Sequence, residues 1–112
     1  MVRPITKNNF QKEVIDARTL SLVQFKAEWS GACHIIAPMY HELTKIYKGQ
    51  VHFFYVDADT DKDLYKEFGI IELPTILFFK TGELVDHVVG ITSKDKLVGK
   101  IETALASLNR LS

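Results

Sequence analysis

The segment AEWSGACHIIAP, Ala27–Pro38, decides how the rest of the chain is read. It sets one serine and one cysteine three residues apart at the point where an apolar run gives way to helical periodicity. Ser30 is a strong helix N-cap, because its hydroxyl accepts a hydrogen bond from a backbone N–H two or three residues on. Gly31 and Ala32 then fall in the first turn, with Cys33 behind them. A thiol there faces the positive end of the helix macrodipole, which favours thiolate. The same residues also suit a purely structural role, Ser30 as cap and Cys33 as a small buried apolar group.

Upstream, SLVQF (Ser21–Phe25) is apolar and β-prone, as expected of a strand covered on both faces. Downstream, Ile36, Met39, Tyr40, Leu43, Ile46 and Tyr47 recur every three or four residues, predicting a helix with Gly49 as its C-cap. Pro38 lies inside it and is expected to kink it. A first short helix is predicted over Phe10–Ala17 from the spacing of Phe10, Val14 and Ala17. VHFFYVDAD (Val51–Asp59) reads as a second buried strand and DKDLYKEFG (Asp61–Gly69) as a short helix. TILFFK (Thr75–Lys80), the turn Thr81-Gly82 and ELVDHVV (Glu83–Val89) read as a hairpin. A last helix starts at Ser93, with Leu97, Val98, Ile101, Ala104, Leu105 and Leu108 as its apolar face. Strands separated by helices imply parallel pairing through right-handed crossovers, and the hairpin adds an antiparallel edge. The expected fold is α/β, one domain over residues 1–112, with helices on both faces of a mixed central sheet.

The 112 residues are enough for one domain with a real core. Fourteen basic and fourteen acidic side chains cancel, so no net field favours nucleic acid or an anionic membrane. No apolar run reaches the ~20 residues of a membrane span, and the amino terminus does not read as a signal peptide. A single cysteine excludes an internal disulfide. These features predict a soluble, cytoplasmic protein without cofactor. The four histidines, His34, His41, His52 and His87, are not spaced as metal ligands with Cys33. The acidic run Asp57–Asp63 lacks the central Gly and terminal Glu of a calcium loop and reads as a solvated helix cap. VHFFYV carries no basic interleaving and reads as core rather than a base-stacking platform.

Phe25–Pro38 resembles the thioredoxin active-site segment, whose usual core is W-C-G-P-C-K followed by an apolar pair and A-P. Val56-Asp57-Ala58-Asp59, Phe68-Gly69-Ile70, Leu73-Pro74-Thr75, Phe78–Gly82 and Val89-Gly90 match further landmarks of that family in order. The similarity extends from Phe10 to Leu105, and several matches at correct spacing make it specific. The resemblance implies the thioredoxin-like fold and thiol–disulfide exchange, with protein or peptide disulfides and thiols as partners. It also implies a cis proline at Pro74 and a peptide groove formed by Trp29, Gly31, Ala32, Leu73, Pro74, Thr75 and Gly90, with Ile71 to Leu73 along it.

The chain departs from the family where the chemistry starts. Ser30 stands in place of the attacking cysteine, Ala32 in place of the proline between the two thiols, and Gln24 in place of a buried proton-relaying Asp. Tyr55 takes the position of that Asp's lysine neighbour. Disulfide exchange needs a thiolate and a second thiol to break the mixed disulfide, and serine is a weak nucleophile without a base. His34 is the candidate base for Ser30, but no third group is evident to orient it. Three readings follow. One is a protein limited to mixed-disulfide chemistry at Cys33, resolved by an external thiol such as glutathione. The second is a non-catalytic peptide-binding module. The third is an engineered Cys-to-Ser variant of an active reductase, against which the changes at Gln24 and Tyr55 count.

Overall fold

The computed structural model describes residues 2–107. Its elements are strand β1 (Val2–Pro4), a π-helical turn (Gln11–Ile15), β2 (Leu20–Lys26), α1 (Gly31–Ile46) and β3 (Val51–Asp57). They continue with α2 (Lys62–Glu67), β4 (Thr75–Lys80), β5 (Glu83–Val89) and α3 (Lys94–Ser107). The five strands form one sheet in the order β1-β3-β2-β4-β5. β1, β3 and β2 are parallel, and β4 and β5 run antiparallel to their neighbours. This is the mixed, two-faced α/β sheet expected from the element order.

Alternation along the strands builds two cores. Leu20, Leu22, Phe53, Ile76 and Phe78 pack under α1 and α3, against Ile36, Tyr40, Leu43, Leu97 and Ile101. Val23, Phe25, Phe54, Leu77 and Phe79 face the other way, toward Phe10, Val14 and Leu64. On that side Phe10 meets the rings of Phe68 and Phe79, each at 5.5 Å between centroids. β2 is the central strand, buried from Leu20 to Phe25 on both faces.

Three boundaries differ from the sequence reading. β1 was not anticipated: three residues including Arg3 and Pro4 carry no periodicity, and only pairing with Phe53–Tyr55 makes them a strand. The first predicted helix is a single widened turn, with Asp16 N–H donating to Gln11 O at 2.8 Å. Phe10 and Val14 are buried there, whereas Ala17 is half-exposed. α1 ends at Ile46 with Tyr47 as its cap, one turn short of Gly49, which takes φ +86° in the following turn. Ile46 is exposed and Tyr47 holds the inward position, its hydroxyl donating to Glu102 of α3 at 2.6 Å. α1 continues through Pro38 as one helix.

The hairpin turn follows from local chemistry. Thr81 and Gly82 have φ +47° and +83°, the two left-handed residues of a type I′ turn. A Cβ at Gly82 would lie 2.5 Å from Ile15 O, so the glycine also lets the hairpin close against the π-helical turn. Asp61 caps α2 through Leu64 N–H at 3.1 Å, but it is buried rather than solvated, because it also accepts from Lys7 N–H at 2.7 Å. Ser93 accepts from Lys96 N–H at the start of α3. Leu108, assigned to the apolar face of the last helix, lies outside the described residues.

Candidate functional site

Strand register brings the expected site together at one end of the sheet. Phe25 of β2 pairs with Thr75 of β4, and Thr75 pairs with Val89 of β5. The loop after β2, the residues before β4 and those after β5 are therefore neighbours. Trp29–Cys33, Leu73–Thr75 and Gly90 occupy those three segments. Gly90 N–H donates to Pro74 O at 2.7 Å, extending the β4–β5 ladder to the proline. The Leu73–Pro74 peptide bond is cis. Thr75 is buried, and its hydroxyl donates to Glu72 O at 2.6 Å, closing the loop ahead of β4. Gly90 has φ +84°, and a Cβ there would stand 3.1 Å from a Glu72 carboxylate oxygen.

Side chains around this junction are unevenly exposed. Trp29 is 70% exposed and Ile71 98%, and Ile91 is also open to solvent. A groove of about 370 Å³ runs beside Pro74, lined by Ile70, Ile71, Glu72, Thr75, Leu77 and Val89 among others. The indole N–H of Trp29 points to Asp59 at 3.4 Å. Gly31 is exposed and Ala32 half-buried, so the first turn of α1 presents small residues to the outside.

The two residues of the S-x-x-C pair are less available. Ser30 is 9% exposed and its Oγ accepts from Cys33 N–H at 3.3 Å, so the hydroxyl serves as the N-cap of α1. Cys33 is a free thiol, 4% exposed. His34, the candidate base for Ser30, lies 2.6 Å through Nε2 from Glu28 O. A bare carbonyl can only accept, so Nε2 carries the proton and donates. The imidazole thus fastens the loop before α1 instead of drawing the proton from Ser30. Among the described residues the side chains of Ser30 and His34 share no hydrogen bond.

Two tyrosines that sequence reasoning did not connect to the site support it. The hydroxyl of Tyr65 bonds to Lys26 O at 2.8 Å and Val56 O at 3.2 Å, gripping the ends of β2 and β3 where the site loop leaves the sheet. Burial raises its pKa well above the ordinary tyrosine value, and the electrostatic influence of nearby Cys33, Asp57 and Asp59 adds to the shift. Tyr40 donates to Leu22 O and Phe54 O, and burial drives its pKa upward, so it too stays protonated. The only sequence signal for either was an aromatic at helical spacing, which marks burial but not a bonding partner.

The thioredoxin family model matches residues 1–103. A thioredoxin of Rickettsia felis is 34% identical over 105 residues, covering 94% of this chain and all of the relative. Thioredoxin C-2 of Corynebacterium nephridii is 39% identical over 97 residues, 87% of this chain and 90% of its own. A chloroplastic M-type thioredoxin of Pisum sativum is 37% identical over 101 residues, 90% of this chain and 59% of its own. With one model spanning nearly the whole described chain and relatives matched end to end, the chain belongs to the thioredoxin family.

Proposed function

We propose that this protein is a thioredoxin-fold binder of extended protein segments whose redox chemistry is confined to one thiol, Cys33. The observation that carries this reading is the state of the S-x-x-C pair. The leading position holds an oxygen that accepts from a backbone N–H, and the following sulfur is shielded. In the two-thiol cycle the leading thiolate attacks one sulfur of a disulfide, forming a mixed disulfide and releasing the other sulfur as thiolate. The second thiol then displaces the substrate, leaving an intramolecular disulfide. Ser30 can make no such bond. Cys33 can form a mixed disulfide only when it is uncovered, and an external thiol, such as glutathione, must resolve it.

Binding does not need that step. The exposed Trp29 and Ile71, the groove beside Pro74 and the backbone at Gly90 offer an apolar surface and strand-like pairing for a peptide. Ile70, Ile71, Thr75, Leu77 and Val89 line that groove. Insulin reduction with a small dithiol as donor tests the reading: the wild-type rate should equal that of Cys33→Ser. Ser30→Cys should raise the rate at least about tenfold, since it supplies the missing thiolate. Wild-type turnover as fast as that of Ser30→Cys would overturn the one-thiol assignment, because it would show that the leading thiol is not needed. Exposure to glutathione disulfide followed by intact mass measurement reports the second point: a slow, partial adduct is expected, and none in Cys33→Ser.

A further inference from the structure

The groove beside Pro74 is apolar along its floor and charged at one point. Ile70, Leu77 and Val89 line it, with Ile71 almost fully exposed at its rim. Among the described residues that line it there is one carboxylate, Glu72, and no lysine or arginine. The one imidazole, His87, pairs with Leu77 rather than Thr75 and so lies further along β5. Glu72 is placed by its neighbours. Its carbonyl accepts from the Thr75 hydroxyl at 2.6 Å, which holds the backbone ahead of the cis proline. Its carboxylate lies against Gly90, where a Cβ would stand 3.1 Å from Oε2. No ion pair or hydrogen bond among the described residues engages that carboxylate. Asp59, by contrast, accepts from the Trp29 indole. Set among the exposed Ile71, Val89 and Ile91, the Glu72 charge is hydrated in the free protein. Once an apolar segment covers those side chains, water leaves and the charge needs a partner.

We propose that the segment taken by this groove is apolar and basic, its Arg or Lys pairing with Glu72 while flanking aliphatic side chains cover Ile70, Leu77 and Val89. That assignment rests on the peptide-binding reading of the groove and adds the charge that selects its partner. Arginine fits better than lysine, because its planar fork can hold both carboxylate oxygens. An acidic residue at the same place would set two carboxylates together as water is expelled. A neutral one would leave Glu72 desolvated and unpaired. Glu72 is thus a specificity-determining residue, and the apolar floor supplies the affinity common to all segments.

Emission of Trp29, the single tryptophan, reports binding. The probes are three peptides, acetyl-Gly-Ser-Val-X-Val-Leu-Ser-Gly-amide, with arginine, methionine or glutamate at X, titrated at low salt. Affinity should fall in that order, by about tenfold or more from first to last. Glu72→Gln, at an exposed position, should bring the three within about twofold, and Glu72→Lys should reverse the order. Glu83→Gln, outside the groove lining, should leave the order unchanged. Val89→Ser should weaken all three alike and preserve the order, since it alters the floor and not the charge. Equal affinities in the wild type, or an order that survives Glu72→Gln, would overturn the charge selection and leave the groove a peptide site. No fluorescence change with any peptide to about 1 mM, or binding unweakened in a folded Val89→Ser, would overturn the peptide-binding reading and the charge selection with it.

Discussion

Two helix ends in this protein are held by polar side chains of opposite character. At the start of α1 a hydroxyl, Ser30, accepts from Cys33 N–H. At the end of α3 an ammonium, Lys80, reaches through the core to donate to Ala104 O at 2.6 Å and Leu105 O at 3.1 Å. Each satisfies backbone groups that a helix terminus leaves unpaired, and each matches the sign of the dipole at its end. The difference lies in cost. Lys80 is a buried cation, and burial lowers its pKa from the ordinary lysine value. Ser30 is neutral and local in sequence. A serine cap therefore holds the start of α1 with a neutral side chain three residues from its partner, at far lower cost than the buried lysine.

The largest effect should come from the costlier end. Lys80→Ala leaves two carbonyls and a cavity behind, and should lower stability by about 2–3 kcal/mol in urea unfolding. Lys80→Met, which refills the volume without the charge, should recover most of that loss. The pH dependence follows from the lowered pKa. The folded state disfavours the protonated lysine, so its cost is fully present below the folded pKa and disappears as pH rises toward the unfolded value. Relative to Lys80→Met, the wild type should therefore gain stability on approach to pH ~10.5; a constant difference would mean that burial does not perturb Lys80.

At the cheaper end, Ser30→Ala should cost about 1 kcal/mol, the usual worth of an N-cap. A change near zero would mean that the hydroxyl is free for another role and would weaken the comparison. The smallest effect belongs to the link between the two helices. Tyr47→Phe removes the bond to Glu102 and should cost roughly 0.5–1 kcal/mol, since the carboxylate it loses is solvent-exposed. Burial, then the hydrogen bond and charge of Glu102, push the Tyr47 pKa up to about 12. That stabilising contribution is present below the unfolded tyrosine pKa and fades as pH rises through about 12. Ultraviolet titration of wild type against Tyr47→Phe measures it directly.

Legibility followed the range of the interactions. The hairpin at Thr75–Val89, the cap at Ser30 and the helix through Pro38 were readable because each depends on residues within a turn or two of one another. Lys80 was not readable as a cap, since at the end of an apolar strand it looks like a lysine leaving the sheet for solvent. His34 was a candidate base by spacing alone; its hydrogen bond to Glu28 O runs back past Ser30 and has no periodic signature.

By itself the sequence determined the order of elements, the two-sided burial of β2, the residues that converge at the site and the absence of a second thiol. Those follow from periodicity, turn chemistry and residue identity. Only the tertiary structure decided that Val2–Pro4 becomes a strand, that Cys33 is covered, and that the amide nitrogen of Gln24 is buried with no partner among the described residues. Each of these depends on atoms brought together from distant parts of the chain, where burial and pairing are set by packing and local pattern carries no record of it.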